Sequence, residues 1–238
     1  RSDPQKPRLL ATSAHGYMAL SFHPKQISCN KSVLEVAGND RARELIPLDR
    51  SSDFGREDFL QCARFGIQGL PIPEQDGGSA ADPLTVVVAV EALGYACTAN
   101  GMLISINAQM WSFELPILEF GSEPQKMRYL PRLCGGEMIG VHAMTEPQSG
   151  SDAFDLRTEA VKKDGRYVLN GTKMFITNAP VADSILVFAS VDRSHGLQGI
   201  SAFTLDKGTP GFSVSKPSEH RGPRTTPIGC VRLVCSWH

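Results

Sequence analysis

Apolar positions recur at helical spacing through the first half of the chain and switch to strand-like alternation past Gly136. In 32–46, Val33, Leu34, Val36, Ala37, Ala42, Leu45 and Ile46 form a loose apolar stripe, weakened by Gly38, that predicts a helix. Arg56–Phe65 predicts a second, with Phe59, Leu60, Ala63 and Phe65 as its apolar positions. Gly69-Leu70-Pro71-Ile72-Pro73 and Asp76-Gly77-Gly78 then read as loop. Asp82-Pro83 is a helix start, a side-chain oxygen to cap free amides followed by a ring with no amide hydrogen to satisfy. From there a helix runs towards Cys97. Asn100–Trp111, apolar with small residues interleaved, predicts a buried helix, and a last helix opens at Ser122-Glu123-Pro124 and closes at Gly135-Gly136.

In the second half, Ile139, Val141 and Ala143 alternate with Gly140, His142 and Met144, as in a strand with one buried face. Arg166–Leu169 follows a turn at Lys163-Asp164-Gly165 and precedes Asn170-Gly171, which reads as a hairpin turn. Met174–Thr177, Ser184–Val191, Ile200–Leu205 and Phe212–Val214 are further strands. The predicted fold is α+β, an all-helical N-terminal domain followed by a small β-barrel or sandwich. Residues 1–17 read as a disordered tail or cloning remnant, 18–136 as the helical domain and 137–238 as the β domain. Arg1 opens the chain, and Met18 is a candidate initiator.

Composition narrows the class of function. A net charge of -1 over 238 residues argues against a nucleic-acid or membrane-surface protein, which needs a basic face. The short basic cluster His220–Arg224 contains Gly222 and Pro223 and reads as a solvated turn. The best apolar run, Leu84–Leu93, is too short for a membrane span and carries Thr85 and Glu91. Six cysteines without C-x-x-C or paired Cys/His spacing point away from zinc and a disulfide framework, and towards reduced thiols in a cytoplasmic setting, with the mitochondrial matrix as the alternative.

Candidate chemistry lies in two clusters. Thr145-Glu146-Pro147-Gln148-Ser149-Gly150-Ser151-Asp152 directly follows a strand, and such a loop can turn amides and hydroxyls towards a phosphate, or be a plain surface turn. The second, Asn170–Asn178, read from residues alone, is a turn followed by a strand with one buried aromatic, Phe175. His142 has no ligand-spaced partner and reads as a core or rim histidine. Glu146 and Asp152 share one loop, where solvated charge is the default for a carboxylate pair. Ser149 and Ser151 lack the strand–elbow–helix setting of a nucleophile.

Taken together the two clusters resemble the acyl-CoA dehydrogenase family. His142–Asp152 is similar to its T-E-P-x-[AS]-G-S-D signature, and Leu169–Asn178 to its G-x-K-x-[WF]-I-T-N block. Leu70–Gly78, Phe120–Lys126 and Thr209-Pro210-Gly211 resemble further blocks in the same order, so the likeness extends from about Ser32 to Gly229. The resemblance implies FAD held along the seam between the two domains and against a second subunit. His142, Ala143, Met144, Thr145, Gly150 and Ser151 would run along the flavin and its ribityl chain. Thr145 and Thr177 would offer hydroxyls to the isoalloxazine, beside Ile176, and Phe175 would cover one ring face in place of the commoner tryptophan. Ser151 would also lie near the thioester arm of an acyl-CoA substrate.

The implied reaction is α,β-desaturation of an acyl-CoA with hydride transfer to flavin N5. Electrons would leave to an electron-transfer flavoprotein or similar acceptor, and the full-length form would be a homo-oligomer, a tetramer. The family's catalytic glutamate sits in a C-terminal helical bundle, so no residue is expected to be the base here and the chain is expected to be a truncated form. The alternatives are a non-catalytic remnant or interaction module, and a flavin oxidase or monooxygenase on the same fold. Residues 230–238 depart from the family's usual acidic strand end.

Overall fold

The computed structural model describes residues 23–38, 54–97, 100–218 and 225–237. The predicted tail, the continuation of the first helix to Ile46 and the His220–Arg224 cluster lie outside the described residues.

Helix α1 (Pro24–Gly38) starts at Pro24 rather than Ser32. Gln26 Oε1 accepts from the His23 amide at 2.8 Å, and Pro24 takes a first-turn position that has no amide to satisfy. The polar first half of α1 is mostly exposed, which is why hydrophobic spacing alone misses it. Helix α2 (Arg56–Arg64) follows the prediction. The cap of α3 (Pro83–Ala96) is as read: Asp82 Oδ1 accepts from the amides of Leu84 and Thr85, both at 3.1 Å. The predicted Asn100–Trp111 helix is instead α4 (Asn100–Gln109) running into a five-residue π turn, Met110–Glu114, which buries Met110, Phe113 and Glu114. Helices α5 (Leu115–Phe120) and α6 (Glu123–Cys134) complete this half, α6 opening on a capping box between Ser122 and Gln125.

Among the described residues seven strands follow: β1 (Gly140–Ala143), β2 (Glu159–Lys163), β3 (Arg166–Thr177), β4 (Ser184–Ser190), β5 (Ile200–Asp206), β6 (Phe212–Val214) and β7 (Ile228–Trp237). They form one sheet in the order β1-β4-β2-β3-β7-β6, with β5 also on β4. Pairing is antiparallel except where β1 and the first residue of β2, Glu159, pair in parallel with β4, and the mixed sheet curls into a half-barrel.

Two strands escape the sequence pattern. Only Ala160 of β2 is buried, so its polar surface hides it, whereas β7 buries alternate residues Val231, Leu233 and Cys235 against β3.

One predicted turn is wrong. Asn170-Gly171 lies inside β3, which runs unbroken for 12 residues. The hairpin turn is Asp164-Gly165 alone, both at positive φ (50° and 78°), the backbone that two-residue hairpins need. Gly171 answers a packing demand instead: a Cβ there would stand 2.3 Å from Thr158 Oγ1. Close approach and chain reversal both select glycine, and the local sequence does not separate them.

Helices and sheet share a core in which Phe59, Ile67, Leu93 and Ile106 join Val141, Ile185, Val187 and Leu233. Helix α4 fastens the two layers through residues at i, i+4 and i+8, which lie on one helix face. The Gly101 carbonyl accepts from Thr226 Oγ1 at 2.6 Å, Ser105 Oγ donates to Asn178 Oδ1 at 2.7 Å, and Gln109 Oε1 accepts from the Gly140 amide at 3.0 Å. These three bonds hold the entrance of β7, the exit of β3 and the entrance of β1.

Candidate functional site

Both clusters singled out in the sequence lie where β1 and β3 give way to loop. Along β3 the inward positions are Leu169, Gly171 and Lys173. Lys173 is fully buried, and a buried ammonium needs a counter-charge and acceptors. It has both, donating to Glu146 Oε1 at 2.8 Å and to the Met144 carbonyl at 2.9 Å. The next residue repeats the grip through backbone, the Met174 amide donating to the Thr145 carbonyl at 2.9 Å.

Glu146 is therefore not the solvated charge expected of it. Besides Lys173, its carboxylate accepts from the Arg157 amide at 2.7 Å, the Thr158 amide at 3.0 Å and Gln148 Nε2 at 2.6 Å. Burial pushes the carboxyl up, but Lys173 and the Arg157 and Thr158 donors outweigh it and hold the group below the ordinary glutamate range. Burial in turn brings the Lys173 ammonium down, against the pull of Glu146. Asp152, by contrast, is exposed.

The loop closes on itself. Glu146 and Ser149 exchange backbone hydrogen bonds at 2.9 and 3.2 Å, and Ser149 Oγ donates to the Asp152 carbonyl at 2.5 Å. Those two amides and that hydroxyl are thus unavailable to cradle a phosphate. Gly150 and Ser151 lie exposed on the outer turn.

After Lys173 the alternation breaks. Lys173 pairs with Val231 and Ile176 with Gly229, so β3 carries one extra residue, a bulge. Phe175 would continue the inward series, but the bulge turns it out: it is 67% exposed with φ +57°, and Ile176 takes the buried place. The expected buried aromatic is thus an exposed one. Left-handed backbone at a bulky residue costs roughly 1–2 kcal/mol, and such strain concentrates at functional sites. Thr177 is half-buried, and Asn178 ends the segment, buried and also left-handed (φ 62°). Asn178 is locked to α4, accepting from Ser105 Oγ and donating through Nδ2 to the Ser105 carbonyl at 3.1 Å.

On β1, Ala143 belongs to the core, while His142, Met144 and Thr145 are half-buried. The His142 ring meets Phe188 edge-on at 5.0 Å, so the rim reading fits. Burial, with a lesser push from the Lys173 charge, lowers its pKa and keeps the imidazole neutral near pH 7. The structure thus brings His142–Thr145 and Lys173–Thr177 together and leaves Gly150 and Ser151 on the exposed turn. The residues that do the fastening, Glu146, Lys173, Ser105 and Gln109, were missed. One signal was available: a lysine at an inward strand position requires a buried acid.

Gln109 extends the network beneath β1. Its Nε2 donates to Glu114 Oε1 at 2.7 Å, and Glu114 Oε2 has no hydrogen-bond partner among the described residues. Burial pushes the Glu114 carboxyl up to about 8. Burial, then the Glu114 charge, pushes the Cys134 thiol up to about 12, which leaves it a poor nucleophile. Cys29, Cys134, Cys230 and Cys235 carry free thiols. Among the described residues no group of three or more His, Cys, Asp or Glu could hold a metal, and no helix is long and apolar enough to cross a membrane.

A helical layer shares one core with a curled mixed sheet, and a polar loop is pinned to β3 of that sheet, which is an α+β arrangement. The family model for the acyl-CoA dehydrogenase N-terminal domain matches residues 24–137, and that for the middle domain matches 142–234. This chain belongs to the acyl-CoA dehydrogenase family. It is 39% identical over 198 residues to an acyl-CoA dehydrogenase of Bacillus subtilis, covering 83% of this chain and 52% of the relative. Among solved structures, the prolyl acyl carrier protein oxidase AnaB superposes with a TM-score of 0.88 at 41% identity, covering 91% of this chain and 57% of that one. PigA in its FAD complex gives 0.88 at 30% identity, covering 92% and 57%. The chain spans about half the length of the curated relatives it matches.

Proposed function

We propose that this chain supplies the flavin-facing half of an FAD-dependent dehydrogenase acting on acyl-CoA thioesters, with residues 18–136 and 137–238 as its two domains. The observation that carries the reading is Phe175, an aromatic turned out of the sheet by a bulge in strained backbone, beside half-buried Thr177 and next to the Met174–Thr145 hydrogen bond. A planar ring system fits such a rim, where an exposed aromatic and Thr177 lie at the end of β3 beside the loop residue Thr145. The FAD complex of a structural neighbour supports the choice of flavin.

In this reading Phe175 covers one ring face, Thr145 and Thr177 offer hydroxyls, and His142, Ala143, Met144 and Ile176 line the rim, Ala143 and Ile176 through backbone because their side chains are buried. Gly150 and Ser151 reach outward along the ribityl chain and the thioester arm. Bound FAD supplies the hydride acceptor for removal of the substrate's β hydrogen. The complementary α-proton base is not assigned within this chain. Glu146 is saturated by four donors, and Glu114 is sealed in the core. A base must reach its proton directly or through one water, and neither can. Electrons would pass to an electron-transfer flavoprotein, and the working form would be a tetramer of longer chains in the cytoplasm.

The test is the visible absorption spectrum of the chain after FAD is added and free flavin removed, followed by butyryl-CoA. A retained flavin band that butyryl-CoA does not bleach is expected. Absence of a retained band overturns the flavin reading, and bleaching overturns the statement that the base lies elsewhere. The likeness to AnaB favours a second reading, an oxidase acting on a carrier-protein thioester. Rapid reoxidation of the photoreduced flavin by dissolved oxygen would select it.

A further inference from the structure

Two adjacent residues of β3 hold two adjacent carbonyls at the start of the signature loop, Lys173 on Met144 through its side chain and Met174 on Thr145 through its amide. Met174 and Phe175 together form the bulge that turns the aromatic outward. Position along β3 therefore fixes at once where the loop leaves β1 and where the aromatic leaves the sheet. Glu146 extends the grip, because the same carboxylate that pairs with Lys173 holds the returning end of the loop by the Arg157 and Thr158 amides.

We propose that Lys173 and Glu146 are positioning residues for the flavin, a buried clamp that sets the spacing between Thr145 and the Phe175–Thr177 segment. The inference rests on the flavin reading above. A pair kept only for stability should be replaceable: buried ion pairs exchanged for neutral groups of similar volume often lose no stability, whereas removing one partner is strongly destabilising. A clamp is different, because Met at 173 cannot donate to the Met144 carbonyl. Fold stability then recovers in part while ligand geometry does not.

The experiment compares wild type with Lys173→Met, Glu146→Gln and the double variant E146Q/K173M. Thermal melting, FAD affinity and amide hydrogen exchange of the flavin-free chain are measured on each. Both single variants are expected to melt lower and to bind FAD at least tenfold more weakly. The double variant is expected to regain part of the melting temperature, since Gln at 146 has one acceptor oxygen for the Arg157 and Thr158 amides, yet remain at least tenfold weaker for FAD, with faster exchange at the Met174 amide. Recovery of FAD affinity together with melting temperature overturns the proposal and makes the pair purely structural. Should wild type itself retain no FAD, the flavin reading fails separately and the exchange arm decides. Faster exchange at Met174 in the double variant then preserves the clamp as a loop-positioning device, and unchanged exchange removes it.

Discussion

Asn178 is where the strand bearing Phe175 is tied to the helical layer, and replacing it with alanine tests that tie. The substitution removes two buried hydrogen bonds to Ser105 and leaves the Ser105 hydroxyl without its acceptor. Orphaning a buried hydroxyl costs about 1–3 kcal/mol and the second lost bond about 1 kcal/mol. Asn178 also sits at φ 62°, which asparagine tolerates and alanine does not, for roughly a further 1 kcal/mol. Asn178→Ala should therefore lower unfolding free energy by about 4 kcal/mol, a large share of the roughly 5–15 kcal/mol typical of domains. Urea titration followed by far-ultraviolet circular dichroism reads the change. Asn178→Gly, free of the backbone strain, should fall less. Ser105→Ala combined with Asn178→Ala should cost less than the two single losses added, because the orphaned group is then gone. A loss below about 1 kcal/mol for Asn178→Ala, or simple additivity in the double variant, would refute the view that this pair fastens the two layers.

Glu114 makes stability depend on pH in a stated direction. Its carboxyl, pushed up to about 8 in the fold, keeps a proton that the unfolded chain releases above its ordinary value of 4.5. The folded state thus binds more protons between those values, so its contribution to stability falls as pH rises, by at most about 1.4 kcal/mol per unit. Glu114→Gln should flatten that decline between pH 5 and 8, and urea titrations running parallel to wild type would contradict it. Phe175→Ala should weaken FAD binding by about tenfold, in line with about 0.5–1.5 kcal/mol for an aromatic contact, while leaving urea stability nearly unchanged because the ring is exposed. Fluorescence titration with FAD checks the first half of that expectation, and equal affinity of variant and wild type would remove Phe175 from the site.

Much of the architecture was legible along the chain because local chemistry determined it. Asp82-Pro83 starts α3 by satisfying amides within its own turn, Ser122 and Gln125 do the same for α6, and the short continuous apolar run 185–189 marks β4. The family resemblance was carried by side chains and glycines in short contiguous blocks. What escaped depended on neighbours distant in sequence. Asn170-Gly171 looked like a turn because nothing local announces that Thr158 presses on Gly171. Glu146 looked solvated because Lys173 is 27 residues away. Phe175 looked buried because strand parity places it inward, and only the register of β3 against β7, one residue out of step, turns it to the surface. Local sequence settles which segments bond to themselves, through caps, turns and periodicity. Tertiary structure alone settled which polar groups meet in the interior and which ring faces outward, because a buried charge or a bulge is resolved by the chain packed against it.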